Sequence, residues 1–208
     1  MIESIPNVNT YPLTYLFEHL KMKHKPGTLW MEFGVASGRT INYISGFTEE
    51  TVYGFDSFEG LPETWREGME QGAFTQHGIM PRVNNNVELI KGWFNETLEG
   101  FMEKHKDKKI SFLHMDADLY SSTKYILDTV WPYLDTDCIM VFDELVNYPG
   151  FDGGKGELKA FYEFVNHHQV EYTWIGMNGT PTGMAGYVHE NVAVRIKRVY
   201  PPKVERSE

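Results

Sequence analysis

The sequence predicts an α/β fold in which a mainly parallel sheet is covered by helices on both faces. Two observations point there. From residue 28 onward short apolar runs alternate with stretches of helical periodicity, and the last two runs follow one another across a Gly/Pro-rich connection with no helix between them. Alternation of strand and helix calls for crossover connections and parallel pairing; the helix-free tail allows a closing antiparallel pair.

Leu13, Leu16, Phe17 and Leu20 share one helical face, so residues 12–23 are predicted helical, ended by Lys25-Pro26-Gly27. Thr28–Phe33 is the first strand, and Arg39–Ile44 the helix after it. Thr51–Phe55 and Val87–Ile90 are the second and third strands, followed by a helix near Glu96–His105. Lys109–Met115 is the fourth strand, and the next helix carries Ile126, Leu127, Val130, Trp131 and Leu134. Cys138–Phe142 is the fifth strand and Glu157–Val165 a helix; Glu171–Ile175 and Tyr187–Arg198 close the sheet. One stretch breaks the alternation. Residues 60–82 are long, glycine-bearing and aperiodic, and Trp65, Phe74 and Met80 mark them as a lid rather than a solvated excursion.

With 208 residues the chain suits one domain, 1–208, whose N-terminal helical segment covers about 1–27. Apolar residues at 41% and charged residues at 23% exclude a disordered chain. Thirteen Phe, twelve Tyr and five Trp supply a core and flat ligand-binding walls. A formal net charge of −10 repels phosphate backbones, which argues against a nucleic-acid partner. The sole cysteine, Cys138, sits in an apolar strand, so it reads as a buried structural thiol in a reducing compartment. No basic segment leads into an apolar one at the start, and no apolar run approaches the roughly 18 residues of a membrane span. The expectation is a cytoplasmic protein without a membrane partner; a homo-oligomer stays open.

Ligands of open α/β sheets bind at the carboxyl ends of the strands. The first such end reads Glu32-Phe33-Gly34-Val35-Ala36-Ser37-Gly38, a G-x-x-x-G turn whose following helix amides can face an anionic group. The second strand ends at Asp56, eighteen residues after Gly38, where an acidic side chain can accept both ribose hydroxyls of an adenosine or can serve a turn. Dinucleotide folds carry a glycine where this chain has Ala36, leaving room for pyrophosphate. Glu32 adds a carboxylate that repels phosphate but can hold an ammonium. S-adenosylmethionine has an ammonium-bearing tail and no phosphate.

Five strings in order, EFGVASGRT, GFDSFEGLP, VELIKGWFNETL, HMDADLYSST and VFDELVNYPGF, resemble class I methyltransferases of the macrocin and mycinamicin O-methyltransferase type, from about Thr28 to Ile196. The resemblance implies a Rossmann-like three-layer α/β/α sandwich whose seven-stranded sheet ends in an antiparallel strand. It implies that Glu32, Gly34, Ala36, Ser37 and Gly38 line the methionine moiety and that Asp56 holds the ribose. Ser57, Phe58, Gly92, Trp93 and Phe94 would lie near the adenine, with core packing the plainer role for Trp93 and Phe94.

Asp116 follows the fourth strand, and Asp143-Glu144 the fifth. Adjacent strand ends lie about 5 Å apart, so these carboxylates can converge, and their repulsion then calls for a cation or shared protons. Oxygen-only ligands suit Mg²⁺. The sugar O-methyltransferases that the chain resembles carry a magnesium site here; Glu144 stands where they have Asp. The alternative is that Asp118 and Asp143 cap helices or turns and bind no metal.

The expected activity is methyl transfer to a hydroxyl of a small-molecule acceptor, a sugar or related natural product. Mg²⁺ on Asp116, Asp143 and Glu144 would activate that hydroxyl, and Asp116 or a metal-bound water would take its proton; without a metal the base would be Asp116 or His114. A metal-free methyltransferase, a non-catalytic S-adenosylmethionine-binding protein and a nicotinamide oxidoreductase remain as alternatives.

Overall fold

The computed structural model describes residues 2–148, 151, 154–181 and 189–201. Seven strands, β1 (Leu29–Phe33), β2 (Val52–Asp56), β3 (Val87–Lys91), β4 (Ile110–Met115), β5 (Leu134–Phe142), β6 (Glu171–Met177) and β7 (Val192–Arg198), form one sheet in the order β3-β2-β1-β4-β5-β7-β6. Only β7 runs antiparallel to its neighbours, inserted between β5 and β6. The strand order reverses direction between β1 and β4, which opens a crevice at their carboxyl ends.

The helices are α1 (Pro12–Thr14), continued by a π turn at Tyr15–His19, then α2 (Arg39–Ser45), α3 (Phe94–Lys104), α4 (Tyr120–Val130) and α5 (Gly156–His167). Alternation along each strand deals side chains to two cores. Leu29, Met31 and Phe33 of β1, with Cys138, Met140 and Phe142 of β5, pack under α3, α4 and α5. Trp30, Phe112, Ile139 and Val141 pack on the other face with Leu13, Leu16 and Phe17 and with Ile41 and Ile44 of α2. The result is the three-layer sandwich, and among the described residues no helix is long and apolar enough to cross a membrane.

Three boundaries differ from expectation. The first helix stops at Leu20, because its last bond widens to Leu20 N–H with Tyr15 O and Lys21 then turns left-handed at φ 54°. Leu134 belongs to β5 rather than to α4, since Pro132 lies in a 3₁₀ turn that ends the helix. β5 therefore begins four residues early, and its register against β4 shifts between Ile110 and Phe112. Tyr187 and Val188 of the expected last strand lie outside the described residues.

Residues 60–82 fold back on themselves without regular structure beyond an Arg66–Met69 bridge. Leu61 N–H donates to Ala73 O and Gly72 N–H to Leu61 O, each at 2.9 Å. A Cβ on Gly60 would stand 2.5 Å from Ala73 O, so this hairpin-like neck requires glycine.

The N-terminal segment is bound to the sheet mainly through Phe17, which stacks on Phe47 at 4.7 Å between ring centroids and meets Trp30 and Phe112. Phe17→Ala should lower stability by about 3–5 kcal/mol. Urea unfolding measures this, and an unchanged midpoint would mean that the segment packs without contributing to stability.

Candidate functional site

A cavity of about 530 Å³ opens at the carboxyl ends of β1, β2, β4 and β5. Gly34, Ala36, Asp56, Ser57, Gly92, Trp93 and Phe94 form one end of it. Asp116, Asp118, Asp143 and Glu144 form the other, and Leu61, Trp65 and Phe74 of the 60–82 loop lie along it. The loop is tied across the site by Glu63, which accepts a hydrogen bond from the Ser121 hydroxyl at 2.7 Å, and by Arg66, whose guanidinium pairs with Glu190 at 3.2 Å. Among the described residues, no Lys, Arg or His lines the cavity.

The acidic end is a cluster held in low exposure. One oxygen each of Asp116, Asp118 and Glu144 lie within 4.8 Å of one another. Glu144 Oε2 is buried with no hydrogen-bond partner. Behind them Glu157, in the first turn of α5, accepts the Thr123 hydroxyl at 3.0 Å and the Glu144 N–H at 3.2 Å. Burial, reinforced by the charge of Asp143, pushes Asp116 and Glu144 well above the usual carboxylate range. Burial likewise raises Asp118 to about 7 and Glu157 to about 8. Asp143 goes the other way. Burial works against its charge, but hydrogen bonding and charge from His114, with the Tyr11 hydroxyl, outweigh it and hold the carboxyl below its ordinary value.

Residues 31–145 match the family described as a methyltransferase domain. The chain belongs to that family. A curated relative from Streptomyces olivaceus, named 8-demethyl-8-(2,3-dimethoxy-alpha-L-rhamnosyl)-tetracenomycin-C 4'-O-methyltransferase, is 26% identical over 159 residues, 64% of this chain and 58% of the relative. Demethyldecarbamoylnovobiocin O-methyltransferase from Streptomyces niveus is 23% identical over 165 residues, 68% of this chain and 61% of its own length. The chain thus spans about three fifths of the curated relatives that it matches. The solved structure of the calicheamicin methyltransferase CalS11 matches with a TM-score of 0.59 at 25% identity, over 82% of this chain and 72% of that one. The O-methyltransferase NovP shares the fold, with a TM-score of 0.58 at 18% identity over 89% of this chain and 76% of its own.

Within this methyltransferase domain the expected residues divide into those that reach the cavity and those that stand behind it. Gly34, Ala36, Asp56, Ser57, Gly92, Trp93, Phe94, Asp116, Asp143 and Glu144 line it. Glu32 does not reach it. It shares the parity of Trp30, so its carboxylate lies on the sheet face, fully buried, with Oε2 3.2 Å from His114 Nδ1. His114 is equally buried, 3.8 Å from Asp143 through its other nitrogen. Burial lowers its pKa, but hydrogen bonds and charge from Asp143 and Glu32 prevail and raise it well above the usual value. A ring so placed stands behind the cavity wall, between Glu32 and Asp143, and is not among the lining residues. Ser37 and Gly38 are also outside the lining: a Cβ on Gly38 would meet the Pro81 ring at 3.1 Å, so the chain itself covers that turn. Phe58 is core, 1% exposed.

Gly34 is glycine for a reason other than ligand approach. A Cβ there would fall 1.8 Å from Asp116 O, so β1 and β4 can close together only at a glycine. The amides after it do face an anion, but an internal one. Asp56 Oδ2 accepts Val35 N–H at 2.8 Å and Ala36 N–H at 2.7 Å, while Oδ1 accepts Phe58 N–H at 2.6 Å. Two oxygens offer about four acceptor sites, so one remains for a ligand hydroxyl.

The sequence did not point to Tyr11, Asn191 or Glu157, and Asp118 looked like a cap. Only Asp118 left a signal, two residues from Asp116 in one acidic string. Glu157 has a testable signature. Its carboxyl holds a proton in the fold up to pH about 8 against an ordinary value of 4.5, so the stability it confers is complete below about 4.5 and is lost as pH rises through about 8. In EDTA the melting temperature should fall across that window, and Glu157→Gln should flatten the fall. A melting temperature indifferent to pH in the unmodified protein would mean that the cluster is not protonated.

Proposed function

We propose that the chain is an S-adenosylmethionine-dependent O-methyltransferase of the macrocin and mycinamicin type. Its acceptor would be a hydroxyl of a sugar or related natural product, with Mg²⁺ assisting, in the cytoplasm. The observation that carries this reading is the acidity of the cavity: five carboxyl side chains line it and, among the described residues, no cationic side chain does. Such a cavity disfavours phosphate-bearing cofactors and favours one that brings a sulfonium and an ammonium. The names of the relatives, a rhamnosyl-tetracenomycin methyltransferase among them, support a glycosidic acceptor.

S-adenosylmethionine, when bound, supplies a methyl group on a positively charged sulfur. Asp56 would use its remaining acceptor site on the ribose, and Trp93 and Phe94 would flank the adenine. The cation would be held by Asp116, Asp118 and Glu144, whose oxygens lie together, with Asp143 as a fourth carboxylate ligand, and would supply Lewis-acid activation of the acceptor hydroxyl. The orphaned Glu144 Oε2 fits that role, since a buried acceptor without a donor is satisfied by a cation. Asp116, at the carboxyl end of β4 and lining the cavity, is the carboxylate that would take the hydroxyl proton. The 60–82 loop would exclude water with Leu61, Trp65 and Phe74.

S-adenosylhomocysteine should raise the melting temperature while NAD leaves it unchanged; at 100 times its dissociation constant a ligand stabilises by about 2.7 kcal/mol. A shift with NAD alone would overturn the cofactor. Methyl transfer to rhamnosylated acceptors should stop in EDTA and return with Mg²⁺. Full activity in EDTA would leave the methyltransferase and remove the metal.

A further inference from the structure

Tyr11 is 132 positions from Asp143, yet its hydroxyl donates to Asp143 Oδ1 at 2.6 Å. Asn191 Nδ2 donates to the same oxygen at 2.7 Å, and His114 Nε2 stands 3.8 Å from it. All three contacts take Oδ1. The Asp143 side chain keeps 23% exposure and lines the cavity, so Oδ2 is the oxygen left to face it. Register explains the arrangement: His114 pairs with Val141 and Met115 with Phe142, so Asp143 stands level with Asp116 just past the end of β5, its N–H bonded to Met115 O at 2.8 Å. Tyr11 reaches Asp143 from the N-terminal segment.

To hold one cation, Asp143, Asp116 and Glu144 must all be ionised, and each then repels the others. Left alone, Asp143 would turn away from the other two or take a proton. A donor that grips one oxygen removes both escapes, because it fixes the carboxylate plane and favours the ionised form. Tyr11 remains a donor throughout the physiological range, since burial and the charge of Asp143 push its own ionisation upward.

We propose that Tyr11 is a positioning residue for the cation site: its hydroxyl pins Asp143 by Oδ1 so that Oδ2 is presented with Asp116 and Glu144. This rests on the metal reading above. A merely structural role fits less well, because the N-terminal segment is anchored elsewhere. Leu13, Leu16 and Phe17 are in the core, and Val8 N–H donates to Met177 O at 2.8 Å.

The test is Mn²⁺ binding followed by electron paramagnetic resonance, with S-adenosylhomocysteine affinity measured on the same samples. Tyr11→Phe removes one oxygen and keeps the ring. It should weaken Mn²⁺ binding by about 10–100-fold, the range for partners that orient metal ligands, and leave S-adenosylhomocysteine affinity unchanged. Tyr43→Phe removes a hydroxyl that bonds Glu18 away from the site and should change neither. Equal Mn²⁺ affinity in Tyr11→Phe and the unmodified protein would overturn the inference alone. A parallel loss of Mn²⁺ and S-adenosylhomocysteine binding would overturn it in favour of a structural role. Absence of Mn²⁺ binding in the unmodified protein would overturn the metal reading and this inference with it.

Discussion

Carboxylates crowded at low exposure are the constraint around which this molecule is arranged. Asp116, Asp118, Asp143, Glu144 and Glu157 meet at one end of the sheet, and each needs a proton, a donor or a cation. The fold supplies partners from every layer. Thr123 of α4 and a backbone amide serve Glu157. Tyr11 from one face of the sheet and Asn191 from the approach to β7 serve Asp143. His114, buried in the sheet, stands between Glu32 and Asp143. Arg66 of the 60–82 loop draws Asp118 downward against the rise that burial causes.

The same economy governs the other end of the cavity. A turn that exposes backbone amides after a strand is a ready anion site. Here it is filled from within by Asp56, which locks the β1–α2 turn to the end of β2 and to the start of the 60–82 loop. Both ends therefore present oxygen rather than nitrogen, and a ligand must bring its own positive charge or its own donors.

The architecture was legible because it depends on local patterns. Strand and helix alternate, and alternate residues of β1 and β5 sort into two cores as a buried parallel sheet requires. Site residues at strand ends were legible for the same reason, since position along a strand fixes the end at which a residue emerges. Glu32 lies behind the cavity rather than in it, and the signal for that existed: counting by two from Trp30 places it on the sheet face. The start of β5 was hidden by Asp137, which takes φ 64° within the strand, where the register to β4 slips. Tyr11 left no signal at all. A contact across 132 positions is created by packing, and neither periodicity nor spacing encodes it.

The insertion of β7 between β5 and β6 has a consequence for assembly. The last of the seven described strands in sequence is interior, so the sheet cannot grow in the order of synthesis. Until residues 192–198 arrive, β5 offers an unpaired edge whose Cys138–Phe142 half is wholly apolar and buried in the finished fold. Such an edge is a template for pairing with other chains. In the completed sheet the outer strands are β3 and β6, and β3 is half-exposed and carries Glu88 and Lys91, charges that discourage edge-to-edge association. The exposure of the β5 edge is thus confined to the interval between making β5 and making β7, and a chain halted in that interval would keep it exposed.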